Sequence, residues 1–317
     1  MKKIKYLASA IAFSSVLVLS GCCFLPEKEE KLDLSNMKLV WSDEFDAESL
    51  DTTVWTKEIW SSGKVNNEVQ AYVDSADNCK VGDEIEDDSG NASTDGQTLK
   101  IIATSSNGST WNSTRIKTSG AVSAKYGYIE ARLKMPIAYD ASGNVIDNTG
   151  VWPAFWMMPE ETLDENGDST GGGVYGVWPR SGEIDIMEYS PGTAGQKTYA
   201  TLHHSASASD AGTDTYPSLG GVTFDNPYEW HTYGVMWTSG TIEAFYDGES
   251  LGAVYANPGN NWAKYPFDQN FYIILNLAMG GNLGGSINSD MRKAVYEIDY
   301  VRIYQNKSDS EQSLTLN

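Results

Sequence analysis

From about Met37 onward the chain reads as strand-like runs punctuated by turns, and several of these runs alternate apolar and polar positions with a period of two. That alternation is expected when every second side chain of a strand faces a core. The runs TLKIIAT (98–104), AVSAKYGYIEARLKM (121–135), EIDIMEY (183–189), TYATLHH (198–204), WHTYGVMW (230–237), TIEAFYDG (241–248), FYIILNLAM (271–279) and VYEIDYVRIYQ (295–305) are rich in β-branched and aromatic residues. Gly, Asn, Asp or Ser bound them, and they predict strands. EAFYDGESLG predicts a hairpin turning at Asp247-Gly248. No long segment carries the 3.6-residue helical period, and no internal repeat is visible. The pattern predicts an all-β protein, a jelly-roll sandwich of two antiparallel sheets. Residues 159–181 and 205–221 are expected to be long loops, a length usually functional or mobile. The polar residues 306–317 are expected to fray.

The N-terminus departs from this pattern. Lys2, Lys3 and Lys5 precede an apolar stretch, Tyr6 to Leu19, too short to be read as a membrane span. It ends in Leu19-Ser20-Gly21-Cys22, which resembles a bacterial lipobox, in which the cysteine is lipidated. An ordinary secretory signal with an incidental cysteine is the alternative. The expected organisation is a lipoprotein signal peptide (1–21), a tether (22–36), one β-jelly-roll domain (37–305) and a tail (306–317). The expected location is the bacterial cell surface or outer membrane, through a lipid on Cys22. Cys22, Cys23 and Cys79 are the only cysteines, so no disulfide framework holds the fold, and no pattern requires a Cys23–Cys79 bridge.

The chain has 317 residues, 22 Lys and Arg against 43 Asp and Glu, and a formal net charge of -21. That charge argues against nucleic acid or a strongly anionic polymer as a partner. The 10 Trp and 18 Tyr with 30 Gly suit a β-protein that presents some aromatic rings to a ligand while burying most of them.

One strand carries the chemistry. In SGEIDIMEYS (181–190), Glu183, Asp185 and Glu188 lie within six residues of an otherwise apolar run. Buried carboxylates are costly unless paired or functional. Glu183 and Asp185 share a face, but strict alternation sends Glu188 to the other side. A β-bulge near Ile186-Met187 would return it. Two carboxylates facing one sugar are the apparatus of glycoside hydrolysis, and a third between them raises its neighbours' pKa values by repulsion. A solvent-facing acidic strand is the plain alternative.

GEIDIMEY resembles the bulged active-site motif of glycoside hydrolase family 16. LVWSDEFD (39–46), NNEVQAY (66–72), GVWPAFWMMP (150–159), VWPRSGEIDIMEY (177–189), ATLHH (200–204), HTYGVMW (231–237), LNLAMGGNLGG (275–285) and IDYVRIYQ (298–305) resemble its laminarinase-type branch, in that order. The resemblance implies a concave substrate cleft, with Glu183 as nucleophile, Glu188 as general acid/base and Asp185 as helper carboxylate. It implies that His203 supports the acid/base region, with His204 the alternative, and that Trp178, Trp152 and Trp156 line the cleft with Asn67 and Asn276. Trp156 alone would be taken for core. The resemblance also implies a structural calcium near Glu44, Gly96 and Asp299, no cofactor for catalysis, and a monomer acting on β-glucan.

The implied activity is retaining, internal cleavage of β-1,3-glucosidic bonds in laminarin-type glucans. A mixed-linkage β-1,3/1,4-glucanase is the nearest alternative. Agarase, porphyranase and carrageenase readings are weaker. A non-catalytic glycan-binding protein would keep the fold while losing an acid, and all three acids are present. Two departures bear on linkage. The loop before the acid strand is long and Gly-rich (STGGGVYG), and Leu283 stands where many relatives carry Trp.

Overall fold

The alternation becomes two stacked sheets. A computed structural model describes residues 31–85, 92–191, 195–224, 226–259 and 261–317. The signal peptide, Cys22, Cys23 and the first part of the tether lie outside the described residues. The strands are, in order, β1 (Lys38–Asp43), β2 (Thr56–Lys57), β3 (Gln70–Tyr72), β4 (Cys79–Asp83), β5 (Gln97–Thr104), β6 (Trp111–Ser113) and β7 (Arg115–Lys117). There follow β8 (Val122–Lys125), β9 (Gly127–Tyr139), β10 (Val145–Ile146), β11 (Val151–Pro159), β12 (Glu183–Ser190), β13 (Lys197–Ser207) and β14 (Asp210–Thr215). The last are β15 (Ser218–Gly220), β16 (His231–Trp237), β17 (Thr241–Tyr246), β18 (Glu249–Ala256), β19 (Phe271–Met279), one helical turn α1 (Gly281–Gly284), β20 (Lys293–Gln305) and β21 (Ser313–Leu316).

One sheet runs β18-β17-β16-β9-β20-β5-β6-β3, with β1 on β20, β10 on β9 and β4 on β5. The other runs β14-β13-β12-β11-β19-β7-β2, with β15 on β13, β8 on β19 and β21 on β8. Pairing is antiparallel except between β3 and β6. The core fills the space between the sheets. Phe155 and Met157 of β11, Ile184 and Met187 of β12, Leu202 of β13 and Leu275 and Leu277 of β19 meet Ile129, Leu133, Val235, Ile298 and Val301 from the other sheet. Because successive side chains alternate, the intervening positions of β11, β12, β13 and β19 point out of the sandwich together. That outward face carries the site.

Three expectations change. The run 121–135 breaks at Tyr126, whose φ is 63°, into β8 and β9 on different sheets. Gly127 follows at φ 121°, and a Cβ there would sit 2.5 Å from the Tyr304 carbonyl oxygen, so only glycine fits the switch. The expected loop 205–221 holds β14 and β15, which extend the sheet beyond β13. The tail does not fray: β21 pairs with β8, Gln305 Nε2 donates to the Ser313 carbonyl at 2.8 Å, and Asn270 Nδ2 donates to Thr315 Oγ1 at 2.9 Å. Its polar side chains hid a backbone that completes an edge. Residues 159–181 do remain loop, pinned by Val174 N–H to Gln269 Oε1 at 2.7 Å and by the Tyr175 hydroxyl to Asp268. The expected turn at Asp247-Gly248 has both φ values positive, 49° and 76°, as a tight hairpin requires.

Candidate active site

The expected bulge is present and is seen from both neighbours of β12. Against β13, Asp185 pairs with Thr201 and Glu188 with Tyr199, so three steps on one strand oppose two on the other. Against β11, Asp185 pairs with Trp156 and Met187 with Phe155. Ile186 is the extra residue, and both Ile186 and Met187 are buried. Two consecutive core-facing residues change the phase of alternation, so Glu183, Asp185 and Glu188 line one recess with Trp152, Trp156 and Asn276.

Each glutamate carries its own indole. Trp178 Nε1 donates to Glu183 Oε2 at 2.6 Å, and Trp152 Nε1 donates to Glu188 Oε1 at 2.9 Å. Trp152 reaches Glu188 because β11 lies beside β12; Trp178 comes from the loop directly before β12. Trp156, expected as core on composition alone, is half-buried and faces outward, its Nε1 donating to Asn276 Oδ1 at 2.7 Å. Asn276 Nδ2 in turn donates to the Tyr72 hydroxyl at 3.1 Å, and that hydroxyl donates to Glu68 Oε2 at 3.2 Å.

His203 is the histidine of the cleft. Its Nε2 lies 3.2 Å from Asp185 Oδ2, and its Nδ1 lies 2.8 Å from Asp214 Oδ2. His204, one step along β13, is buried on the core side, with Nδ1 toward its neighbour Ser205's carbonyl and Nε2 toward the Tyr255 hydroxyl, each at 2.8 Å. Strand alternation thus decides between the two histidines.

Burial pushes the carboxyls up. Glu183 lies well above the usual carboxylate range through burial and then the charge of Asp185, with His203 acting the other way. Asp185, only 2% exposed, is raised well above its usual value by burial and then by Glu188. Glu188 is raised by burial, opposed by the Trp152 hydrogen bond and by His203. Side-chain nitrogen and oxygen atoms of Glu183, Asp185 and His203 all lie within 4.8 Å of one another, and the three carboxyls of β12 act on one another's protonation rather than titrating separately.

A groove of about 530 Å³ opens over this recess, walled by Trp60, Trp152, Trp156, Trp178, Val65 and Leu283. At its far side the Arg115 guanidinium stacks on Trp60 at 4.3 Å and on Trp156 at 4.6 Å, held by Glu58 at 2.5 Å. Trp178 is 47% exposed and tilts against His203 at 5.9 Å. Apolar ring faces beside rim acceptors and donors suit a pyranose, whose axial C–H face is apolar and whose rim is hydroxylated.

The structure places Asn67 differently from expectation. Asn67 is exposed and donates to Asn282 Oδ1 at 2.8 Å, while its neighbour Asn66 lines the groove. Both have positive φ (51° and 56°), so strand alternation does not govern them. Trp60, Arg115, Glu68, Tyr72 and Asp214 had not been singled out. Glu68 and Tyr72 sit inside the quoted run NNEVQAY; Asp214 sits in what was read as loop.

The calcium residues do not fit an ion. Glu44 forms a two-bond pair with Arg302, at 3.0 and 2.7 Å. Asp299 is held by Arg132 at 2.5 Å and by the Thr94 N–H and hydroxyl. The Gly96 carbonyl accepts from Glu84 N–H at 2.9 Å. A hard dication needs oxygen ligands with surplus negative charge, and here arginine already neutralises each carboxylate.

A model of glycosyl hydrolases family 16 matches residues 80–302. The chain is 32% identical to a beta-glucanase of Rhodothermus marinus over 317 residues, covering 96% of this chain and 97% of that one. It is 31% identical to glucan endo-1,3-beta-glucosidase A1 of Niallia circulans, covering 86% of this chain but spanning only 38% of that relative's length. Among solved structures, the laminarinase from Rhodothermus marinus superposes with a TM-score of 0.65 at 31% identity, covering 85% of this chain and 97% of that one. A LamA variant from Z. galactanivorans, solved with laminaritriose and laminaritetraose, gives a TM-score of 0.65 at 31% identity, covering 84% and 99%.

Proposed function

The chain belongs to glycosyl hydrolase family 16, and from that premise we propose that it cleaves internal β-1,3-glucosidic bonds of laminarin-type glucans with retention of configuration. The observation that carries this reading is the bulged strand, which sets three carboxylates on one face and gives each glutamate an indole donor. Glu183 attacks the anomeric carbon. Glu188 protonates the leaving oxygen, then takes a proton from the water that resolves the glycosyl-enzyme. Asp185 lies between them and raises the pKa of Glu183. With one residue bulged out, Glu183 and Glu188 are about four strand steps apart, or ~13 Å between Cα atoms. The two long side chains therefore lean toward the short Asp185 to approach the ~5–5.5 Å spacing of a retaining pair.

The linkage preference is supported by relatives whose names specify endo-1,3 cleavage and by a related structure holding β-1,3-linked oligosaccharides. We also propose that a lipid on Cys22 anchors the enzyme at the bacterial cell surface, a reading that rests on the lipobox-like sequence alone.

The test is a product profile on laminarin, curdlan and barley mixed-linkage glucan, alongside Glu183→Gln and Glu188→Gln. Oligosaccharides from laminarin, with slower mixed-linkage cleavage, support the proposal; fast cleavage of mixed-linkage glucan alone moves the function to β-1,3/1,4. Either amide variant should lose hydrolysis by at least a thousandfold while still binding glucan. Unchanged turnover in either would refute the assignment of roles. Because both carboxyls are raised in the fold, each binds its proton more tightly folded than unfolded, so each weakens the fold as pH rises. The amide variants should accordingly melt no lower than the parent at neutral pH.

A further inference from the structure

We propose that Asp214 is a positioning residue of the reaction: it fixes the His203 ring so that Nε2 faces Asp185, and thereby keeps one extra proton on the assembly that serves the two glutamates. The proposal rests on the functional reading above and goes beyond it.

Asp214 belongs to β14, the arm beyond β13 that had been expected as loop. Ser205 pairs with Asp214 across the ladder, which brings its carboxylate diagonally over His203. One oxygen takes the ring: Asp214 Oδ2 lies 2.8 Å from Nδ1. The other, Oδ1, is buried without a donor from the described residues, so the carboxylate is not diverted to a different partner. Two aromatic rings bracket the imidazole, Trp178 at 5.9 Å and Tyr216 at 6.1 Å. The groups facing His203 are Glu183, Asp185 and Glu188 from β12 and Asp214 from β14.

The proton count follows from these contacts. A ring nitrogen facing a carboxylate oxygen must have a proton between them or suffer lone-pair repulsion. Nδ1 shares one with Asp214. The approach of Nε2 to Asp185 Oδ2, at 3.2 Å, falls outside hydrogen-bond geometry, and Oδ2 has no other hydrogen-bond partner among the described residues, so the two atoms attract rather than repel only when the ring or the Asp185 carboxyl carries a second proton. A hydrogen bond at Nδ1 decides which tautomer a histidine presents at Nε2. With an amide at 214, the Nδ2–H donates to a bare Nδ1, the ring carries only Nε2–H toward Asp185, and the assembly holds one proton fewer. The removed negative charge acts in the same direction, since Asp214 raises Asp185. Asp214 lines the groove, and its hydrogen bond goes to His203 rather than to either glutamate. It acts through His203 and Asp185, on the carboxylates that react.

The experiment compares the protein with Asp214→Asn and Asp214→Glu. There are 3 histidines in the sequence, so imidazole nitrogen signals can be followed by NMR against pH and assigned with His203→Gln. In Asp214→Asn the His203 signal should leave its doubly protonated form at lower pH, and the kcat profile should move to lower pH by about one unit. At neutral pH kcat should fall about tenfold with KM nearly unchanged. Asp214→Glu, which keeps the charge, should recover most of the profile. A His203 signal and a pH profile that both match the parent overturn the proposal. So does a loss of activity that tracks melting temperature alone, or one that Glu fails to recover. If the parent cleaves no glucan, the functional reading fails on its own, and the NMR comparison still decides whether Asp214 sets the ring.

Discussion

Replacing Trp152 by Phe removes one hydrogen bond and leaves most of an aromatic wall. The indole donates to Glu188 Oε1 at 2.9 Å, and this bond opposes the burial that raises Glu188. A hydrogen bond to the charged form favours it, so removing the donor must raise the Glu188 pKa further. Hydrogen bonds to charged groups contribute about 1.5–3 kcal/mol. Glu188 keeps part of its surface open to the groove, and water recovers some of the loss, so the low end applies. That corresponds to about one pH unit. The assay is kcat/KM against pH on a soluble β-1,3-glucan, from about pH 4 to 10. The alkaline limb reports loss of the proton from the acid in the free enzyme. In Trp152→Phe it should move up by about one unit, while the acid limb moves less, because Trp178 and not Trp152 serves Glu183. An alkaline limb that stays in place or moves down refutes both the role of Glu188 and the reasoning from its indole. A uniform drop in kcat/KM at every pH with unmoved limbs would mean that Trp152 only floors the groove.

Two predictions concern the scaffold that holds the site. Glu297 on β20 is almost fully buried between Lys100 at 3.4 Å and Lys134 at 3.1 Å, its cross-strand neighbours on β5 and β9. Glu297→Ala leaves both lysines without their shared carboxylate and should cost about 3–5 kcal/mol, read as a fall in melting temperature of roughly 10 °C; a change under about 2 °C would contradict a buried ion pair. Deleting residues 307–317 strips β21 from β8 and uncovers a sheet edge. The truncated protein should melt several degrees lower and aggregate more readily while hydrolysing laminarin at an unchanged kcat, since β8 contributes nothing to the groove wall. An unchanged melting temperature would mean that the tail does not hold its strand in solution.

The sequence alone determined the all-β class, the place where β12 bulges and the cluster of acids that it carries. These are local properties: period two is a property of one strand, and a third acid out of phase by one residue demands a bulge whatever lies beside it. The choice of Trp152, Trp156 and Trp178 came from the family resemblance, since Trp156 read on its own pattern would be core. What the sequence left open was set by pairing between distant segments. The choice between His203 and His204 needed to know which face of β13 meets the core. The polar stretch 205–221 gave no apolar alternation because β14 lies beyond the edge of the core, where burial does not select side chains; its backbone ladder alone makes it a strand and carries Asp214 to His203. The tail hid β21 for the same reason. Arg115 and Trp60 join the groove through β7 and the bend beside β3, separated from β12 by more than 60 residues of chain, and Asn66 replaces Asn67 because positive φ suspends alternation. Local periodicity records how a strand faces its own core. Which strands become neighbours is decided when both sheets close over that core, and the arm, the edge and the far wall of the groove exist only once they have.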